Sequence, residues 1–487
     1  MPGLHWTSSK RRRKEWEIAK KHLRDGGVPE GTKLKRSKGE IRYSDASNQN
    51  HKINHSFMVI GGKILALAGK GQILDKGGNG KVKFAEDEDG NLYVIKIGNQ
   101  KNVRQREVDI LSDLGRLKGD AKREGKQYVV LEYQGKSLRQ VLNNNYLNDK
   151  KILNISLQLV EEVRKLNSGK LSNSGKHYYH NDLKPANVVV APDGRLSLID
   201  FGLAHENKVL GGTRGYQPPE AEKETCEASE KTEVYSLGAI LSRILPENSA
   251  VQRIADQIMK SENPEMRPSL SFVTTLLLVE LYSGSDSVLS QKLKEYSCSQ
   301  KDIDQAKAIF TVASNDQFSR DDWDKIKDDQ VLQNAVNNIA KTRDDRCRIE
   351  EDVNNIAKAG QFSRDDWRRI RDNEELQKAV NNIAKAGQFS HDDWRRIRGN
   401  GALQKAVNNI AKAGQFSHDD WRRIRGDGAL QKAVNNIAKA GQFSGDYWIK
   451  IKSNHDNLKQ VNEKISSFQK HVKNNSKLKK IYSILKA

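Results

Sequence analysis

The chain has little of what secreted, membrane-spanning or disulfide-stapled proteins depend on. Its three cysteines, Cys226, Cys298 and Cys347, are far apart and show no CxxC spacing. Neither a disulfide framework nor a zinc site is supported, and a reducing, cytosol-like compartment is expected. The longest apolar run, FVTTLLLVELY at 272–282, is too short for a bilayer and contains Glu280, so it is expected to be a buried helix. No apolar segment follows the N-terminal charge cluster, and export by the general secretory route is not expected. Hydrophobic residues are only 36% of the 487, too few for an evenly spread core, and the length predicts about two to four domains.

Positive charge is in excess. The formal net charge is +21, a field that attracts nucleic acid, an anionic membrane surface or an acidic protein without choosing among them. Residues 1–55 hold 14 Lys or Arg against 6 Asp or Glu and read as a basic, partly helical N-terminal extension. Its KRRRK run is a nuclear address, a nucleic-acid patch or a merely solvated face. A cytoplasmic location is expected, nuclear or delivered into a host cell being the alternatives.

Between about 56 and 140, short β-like runs (GQILDKGG, GKVKFAED, LYVIKIG, QYVVLEY) alternate with turn signals such as DEDGN, predicting a small, mostly antiparallel sheet. One amphipathic stretch interrupts it, with Val108, Ile110, Leu111 and Leu114 on one helical face. Helical patterns dominate 149–283, broken by NVVVAPDGRLSLIDFG, which reads as a two-stranded hairpin turning at PDG. A helical linker is expected over 284–316, repeats over 317–452 and a basic helix or tail over 453–487.

The repeat is marked by QFS at 317, 361, 388, 415 and 442: three steps of 27 residues and one of 44, the longer step containing a decayed unit. In the unit starting at 388, Ser390 is expected to cap a short helix with Asp393 three residues on, the spacing of a capping box. Phe389 and Trp394 occupy the positions of a hydrophobic staple, as do Trp323, Trp367, Trp421 and Trp448 in the other units. After a Gly/Asn turn, Leu403, Val407 and Ile410 line a second helix that Gly414 can end. One hairpin cannot bury both Trp and this stripe, so copies should stack with Trp in the core. The five Lys or Arg against two Asp in the unit at 388–414 would project as a basic ridge, either a partner surface or a solubilising one.

Moving a γ-phosphoryl group requires held phosphates, metal-binding side chains and a carboxylate beside the incoming hydroxyl. LDKGGNGKV, with Leu74, Gly77, Gly78, Gly80 and Val82, sits between strand-like runs where glycines let the backbone approach phosphates. YVIK ends in Lys96, placed for the α- and β-phosphates, and Glu107 on the next helix is its ion-pair partner. In HNDLKPAN, Asp182 would accept the hydroxyl proton, Lys184 would steady the moving group and Asn187 would coordinate Mg²⁺. IDFG supplies Asp200 for the metal.

These residues together resemble the eukaryotic-type protein kinase family over about 70–275. Further similar features follow in order: the hinge-like LEYQG with Leu131 as gatekeeper and Glu132 and Tyr133 beside the nucleotide, GTRGYQPPE, EVYSLGAIL, and Arg267, which the resemblance pairs with Glu220. The resemblance implies an α+β, bilobal protein-kinase-like fold, a small antiparallel β lobe and a larger helical lobe, followed here by the α-helical repeat array. It implies ATP and Mg²⁺ as cofactors and a protein Ser/Thr hydroxyl as acceptor, given Lys184 and Thr213. An inert scaffold and a small-molecule or lipid kinase are the alternatives. Asp75 replaces the first loop glycine, Val94 a small residue, and Glu233 an Asp, while the interval from Lys96 to Glu107 is short; modest nucleotide affinity is expected. Asn181 stands where many members carry an Arg that grips a phosphorylated activation loop.

Overall fold

The computed structural model describes residues 4, 8–24, 33–34, 55–68, 73–77, 80–99, 105–144, 147–222, 225–314, 318–340, 363–387, 389–414, 416–439 and 443–453. It divides into two compact units, Met1–Ile244 with Met259–Leu270, and Leu245–Ile258 with Ser271–Ala487.

The first unit opens with helix α1 (Ser9–Arg24) and an antiparallel sheet of β1 (Lys33–Leu34), β2 (Ser56–Ile60), β3 (Lys63–Leu67), β4 (Ile73–Gly77), β5 (Gly80–Glu86), β6 (Leu92–Asn99), β7 (Leu117–Arg123) and β8 (Lys126–Glu132). The strand order is β1-β2-β3-β5-β6-β8-β7, with β4 also paired to β5. The β2–β3 hairpin turns at Gly61 and Gly62, both at positive φ (61° and 68°), as a two-residue turn of this hand requires. Strand β2 is apolar at successive positions because both faces are covered. Met58 and Ile60 pack with Leu65, Tyr93, Ile95 and Val130 on one side, and Phe57 and Val59 pack with Trp16, Ala19 and Leu23 of α1 on the other.

The basic extension is therefore in part a packing element. Trp16 meets Phe57 edge-on at 5.1 Å. Arg12 donates to Glu86 (3.1 Å) and to the Glu88 carbonyl (2.7 Å), fastening α1 to the β5–β6 turn. Residues 1–3, 5–7, 25–32 and 35–54 of the extension lie outside the described residues.

The helical part of this unit carries α2 (Gln105–Asp113), β9 (Lys136–Ser137), α3 (Leu138–Asn144), α4 (Asp149–Asn167), β10 (Val188–Val190), β11 (Leu196–Leu198) and α5 (Glu230–Ile244). Asn148 caps α4 through the Lys151 N–H. Strands β10 and β11 form the hairpin at PDG, in the register Val190↔Leu196.

In the second unit, α6 (Ala250–Ile254) precedes α7 (Leu270–Tyr282), α8 (Asp286–Glu295) and α9 (Gln300–Ala313). The apolar run is a buried helix, and the half-buried Glu280 of α7 accepts the Val251 N–H at 2.8 Å, a partner that offsets its partial loss of water. Among the described residues no helix is long and apolar enough to cross a membrane.

The array follows as hairpins α10 (Arg320–Ile326) with α11 (Gln330–Ala340), α12 (Arg364–Ile370) with α13 (Glu374–Ala386), α14 (His391–Ile397) with α15 (Gly401–Lys412), α16 (His418–Ile424) with α17 (Gly428–Lys439), and α18 (Gly445–Ser453). Capping boxes form at Ser319, Ser363, Ser390 and Ser417, and the five repeat tryptophans are at most 3% exposed. Within a unit, Gln377, Gln404 and Gln431 each donate to the last carbonyls of the short helix, at Ile370, Ile397 and Ile424 (2.8 Å). Between units the joint repeats. Asp322, Asp366 and Asp393 accept the N–H of their own capping serine on one oxygen. The other oxygen accepts the indole N–H of Trp367, Trp394 and Trp421 from the next unit (2.6–2.8 Å) and the guanidinium of Arg371, Arg398 and Arg425 (3.1–3.2 Å).

Asparagines tie the long helices in the same way. Asn408 donates to the Glu375 carbonyl and Asn435 to that of Ala402, each 33 residues back. Asn337 does likewise to Asp304 of α9, also 33 residues back. The segment expected as a linker thus ends in a helix that takes the place of a preceding unit. The segment 341–362, which holds the decayed unit, lies outside the described residues, yet Trp367 bonds Asp322 and Asn338 donates to Asn381 (3.0 Å). The units flanking the insertion meet directly.

Candidate active site

Lys96 stands on β6 opposite Val82 of β5, so both side chains share one face of the sheet. Its ammonium lies 2.7 Å from Glu107 of α2 and 2.7 Å from Asp200. The short interval between Lys96 and Glu107 does not prevent the pair. Burial opposes the charge on Lys96, but the Asp200 and Glu107 carboxylates outweigh it and raise its pKa above the ordinary lysine value. Burial raises Glu107, with Lys96 opposing.

Gly77 and Gly80 face each other across the β4–β5 hairpin. Gly80 has φ +136°, and a Cβ there would lie 2.3 Å from the Ile97 carbonyl oxygen, so only glycine fits. Leu74 and Asp75 belong to β4, with the register shifting between Ile73 and Asp75; their side chains, and Gly78, lie outside the described residues. Val94 pairs with Leu131. In the hinge, Glu132 is exposed and 3.6 Å from Lys118. The Tyr133 N–H is committed to the Leu92 carbonyl at 3.0 Å, and its ring lies edge-on to Phe84 at 5.2 Å.

The segment 180–187 is held from below by Glu233 of α5. Its two carboxylate oxygens accept the His180 and Asn181 N–H groups, each at 3.0 Å, so the longer side chain makes the bracing contact expected of the Asp it replaces. Full burial pushes Glu233 up to about 7, with those two N–H groups pulling the other way. His180 is wholly buried, its ring against Phe201 at 5.2 Å and its Nε2 at 3.0 Å from the Ile199 carbonyl oxygen. Burial lowers its pKa.

Asp182 then accepts four hydrogen bonds from three groups: Lys184 at 2.7 Å and Asn187 Nδ2 at 2.9 Å on one carboxylate oxygen, the Thr213 hydroxyl at 2.6 Å on the other, and Asn187 Nδ2 again on its carbonyl at 2.8 Å. Lys184 also reaches the Thr213 hydroxyl at 2.8 Å. The arrangement brings one carboxylate, one ammonium and one amide to a single point, which suits taking a proton from a hydroxyl while an anionic group passes. Asp200, at φ 64°, carries its carboxylate on a backbone conformation rare for a non-glycine residue and associated with functional sites. Among the described residues no three His, Cys, Asp or Glu side chains cluster as a metal cage. A Mg²⁺ ion would rest on oxygen donors of Asp200 and Asn187 and complete its shell with phosphate and water, the coordination this ion favours.

Two features lay outside the sequence reading. Asn181, at φ 63°, donates from Nδ2 to the Leu203 and Lys208 carbonyls (3.0 and 2.9 Å), fastening the activation segment without a charge. Asp113, at the end of α2, accepts hydrogen bonds from Ser172, Ser174 and Tyr178. Burial alone would raise it, but these bonds hold it down to about 2. The sequence signal for the first was the Asn itself; for the second there was none, since its partners are about 60 residues away. Arg267, fully buried, pairs with Glu220 at 2.8 Å, joining the end of the substrate loop to the helical lobe.

The chain is similar to an Aurora kinase of Schizosaccharomyces pombe, 29% identical over 36% of this chain and 53% of that protein. It is also similar to the serine/threonine-protein kinase PrkC of Bacillus subtilis, 27% identical over 29% of this chain and 23% of its relative, and to the LysM domain receptor-like kinase 3 of Arabidopsis thaliana, 31% over 25% and 19%. The matched stretch is therefore between about a fifth and about half of each relative's length. The family model for the protein kinase domain matches residues 69–351, more than half of the chain, and with the site geometry above the chain belongs to the protein kinase family.

Proposed function

We propose that this protein is an active ATP-dependent serine/threonine protein kinase whose repeat array recruits a partner or substrate. The observation that carries the reading is the convergence of Lys184, Asn187 and Thr213 on Asp182, beside a Lys96 held between Glu107 and Asp200. The acceptor hydroxyl approaches Asp182, which takes its proton as the acceptor oxygen bonds to the γ-phosphorus and the bond to the β–γ bridging oxygen breaks, releasing ADP. Lys184 offsets charge on the moving group, and Lys96 fixes the α- and β-phosphates in line. Asp200 and Asn187 would hold a Mg²⁺ ion, which would supply charge neutralisation at the phosphate oxygens.

Incubating wild type, Asp182→Ala and Asp200→Ala with labelled ATP, Mg²⁺ and a protein acceptor tests this. Transfer by wild type alone supports it; equal transfer by all three overturns it and leaves a binding scaffold.

The array's outward face supports the recruiting role. Arg368 and Arg369, Arg395 and Arg396, and Arg422 and Arg423 are exposed in three successive units, whereas Arg371, Arg398 and Arg425 are bound to the inter-unit aspartates. Replacing Arg368, Arg369, Arg395 and Arg396 with Ser is expected to lower the salt concentration needed for release from an acidic matrix; unchanged retention would exclude the ridge.

A further inference from the structure

Among the described residues, nothing in the fold calls for a cation at Arg214. It follows Thr213, whose hydroxyl touches both Asp182 and Lys184, and it sits at the tip of a tight turn in which the Tyr216 N–H bonds the Thr213 carbonyl at 3.0 Å. Both ends of that turn are anchored. On the far side, Arg243 donates to the Gly215 carbonyl at 3.1 Å and stacks over the Tyr216 ring at 4.6 Å. Gly215 takes φ +86°, the sign a tight reversal at this point demands.

The turn is thus rigid, while the Arg214 side chain is exposed and makes no ion pair or hydrogen bond among the described residues. The neighbouring carboxylates are engaged elsewhere: Glu220 holds Arg267 with both oxygens, Asp182 is shared by Lys184, Asn187 and Thr213, and Asp200 holds Lys96. An arginine side chain spans about two residues of an extended peptide. A guanidinium one residue from the group that touches the base therefore reaches the immediate neighbours of a bound acceptor hydroxyl.

We infer that Arg214 is a specificity-determining residue that selects acceptor peptides with an acidic side chain within about two positions of the phosphorylated Ser or Thr. This rests on the kinase reading above. The guanidinium fork matches a carboxylate in two parallel hydrogen bonds, and a half-exposed pair of this kind favours the acidic peptide by about five-fold. A phosphoryl group on a neighbouring residue offers the same anionic oxygens.

The full chain, with Arg214→Ala and Arg214→Glu variants, would be assayed on one Ser peptide series bearing Glu, phosphoserine, Gln or Lys at each of the two positions on either side of the acceptor. At one position or more, wild type is expected to prefer Glu over Gln by about five-fold in kcat/KM. Arg214→Ala should level the series, and Arg214→Glu should invert it toward Lys. A preference for phosphoserine with none for Glu would replace the carboxylate with a phosphorylated neighbour and overturn the acidic-peptide inference. Equal rates on all peptides would overturn it and leave the kinase reading intact. No labelling above the Asp182→Ala background would remove the kinase reading and the inference with it.

Discussion

In the kinase unit each polar contact is made once, by residues brought from distant parts of the chain; in the array one set of contacts is made again with every 27-residue unit. Asp182 and Asp393 make the contrast concrete. Both are nearly buried carboxylates with several donors, but the donors of Asp182 come from its own loop and from Thr213, 31 residues away, and leave a face for a reaction. The donors of Asp393 come from its own capping serine and from the same two residue types one unit on, and they leave nothing open. Saturating a buried carboxylate gives a joint; leaving one edge of it accessible gives a site.

Substitutions can sharpen this difference. Asp182→Ala is expected to reduce phosphoryl transfer by about 10³-fold while the array's unfolding transition, followed by tryptophan fluorescence, stays where it was; a shifted array transition would break the separation. Asp393→Ala should do the reverse. It removes one half of a capping box and strands the Trp421 indole and Arg425, destabilising the array by about 3 kcal/mol in denaturant unfolding. Its exposed neighbour Asp392→Ala is expected to change little, and equal losses for the two would count against the inter-unit joint.

Acidity should separate the two regions by sign. Glu233 has a folded pKa near 7, raised above the ordinary glutamate value of 4.5, so the folded state holds its proton more tightly. Its favourable contribution is complete below the unfolded value and is lost as pH rises toward 7. Asp322 behaves oppositely. Burial would raise it, but the Trp367 and Ser319 hydrogen bonds and Arg364 lower it below 3.8, so its contribution is present above that value and lost on acidification. Melting temperatures of wild type and Glu233→Gln should diverge between pH 4.5 and 7, wild type falling relative to the variant, and run parallel above; a constant difference throughout would refute the assignment. The smallest effect is expected from phosphatase treatment. Asn181 fastens the activation segment through two carbonyls and offers a phosphate no cation, so activity should not change, and loss of most of it would contradict this.

The two regions were legible in the sequence for different reasons. Kinase residues stand in short motifs whose internal spacing fixes their geometry, so Asp182, Lys184 and Asn187 could be placed together without a structure. The repeat announced its helices, its caps and its buried tryptophans by period alone. Neither route shows contacts between residues that share no motif and no period. Asn181 reaching two carbonyls, Asp113 collecting the 172–178 segment, and Trp16 packing against Phe57 depend on tertiary approach. The inter-unit role of Asp393 was hidden differently: its capping function already explained its presence, and a second set of partners left no further mark on the sequence.

One consequence follows from the joint between units. Each interior hairpin offers an acceptor forward and an indole and guanidinium backward, so a duplicated copy spliced between two others meets on both sides the surfaces it already fits. Tyr447 occupies the place that Asp393 holds in its own unit, so growth past α18 finds no such surface. Slippage of the gene within the interior copies would therefore lengthen the array by roughly 10 Å per added hairpin, letting heredity adjust its length in fixed increments while the kinase domain stays untouched.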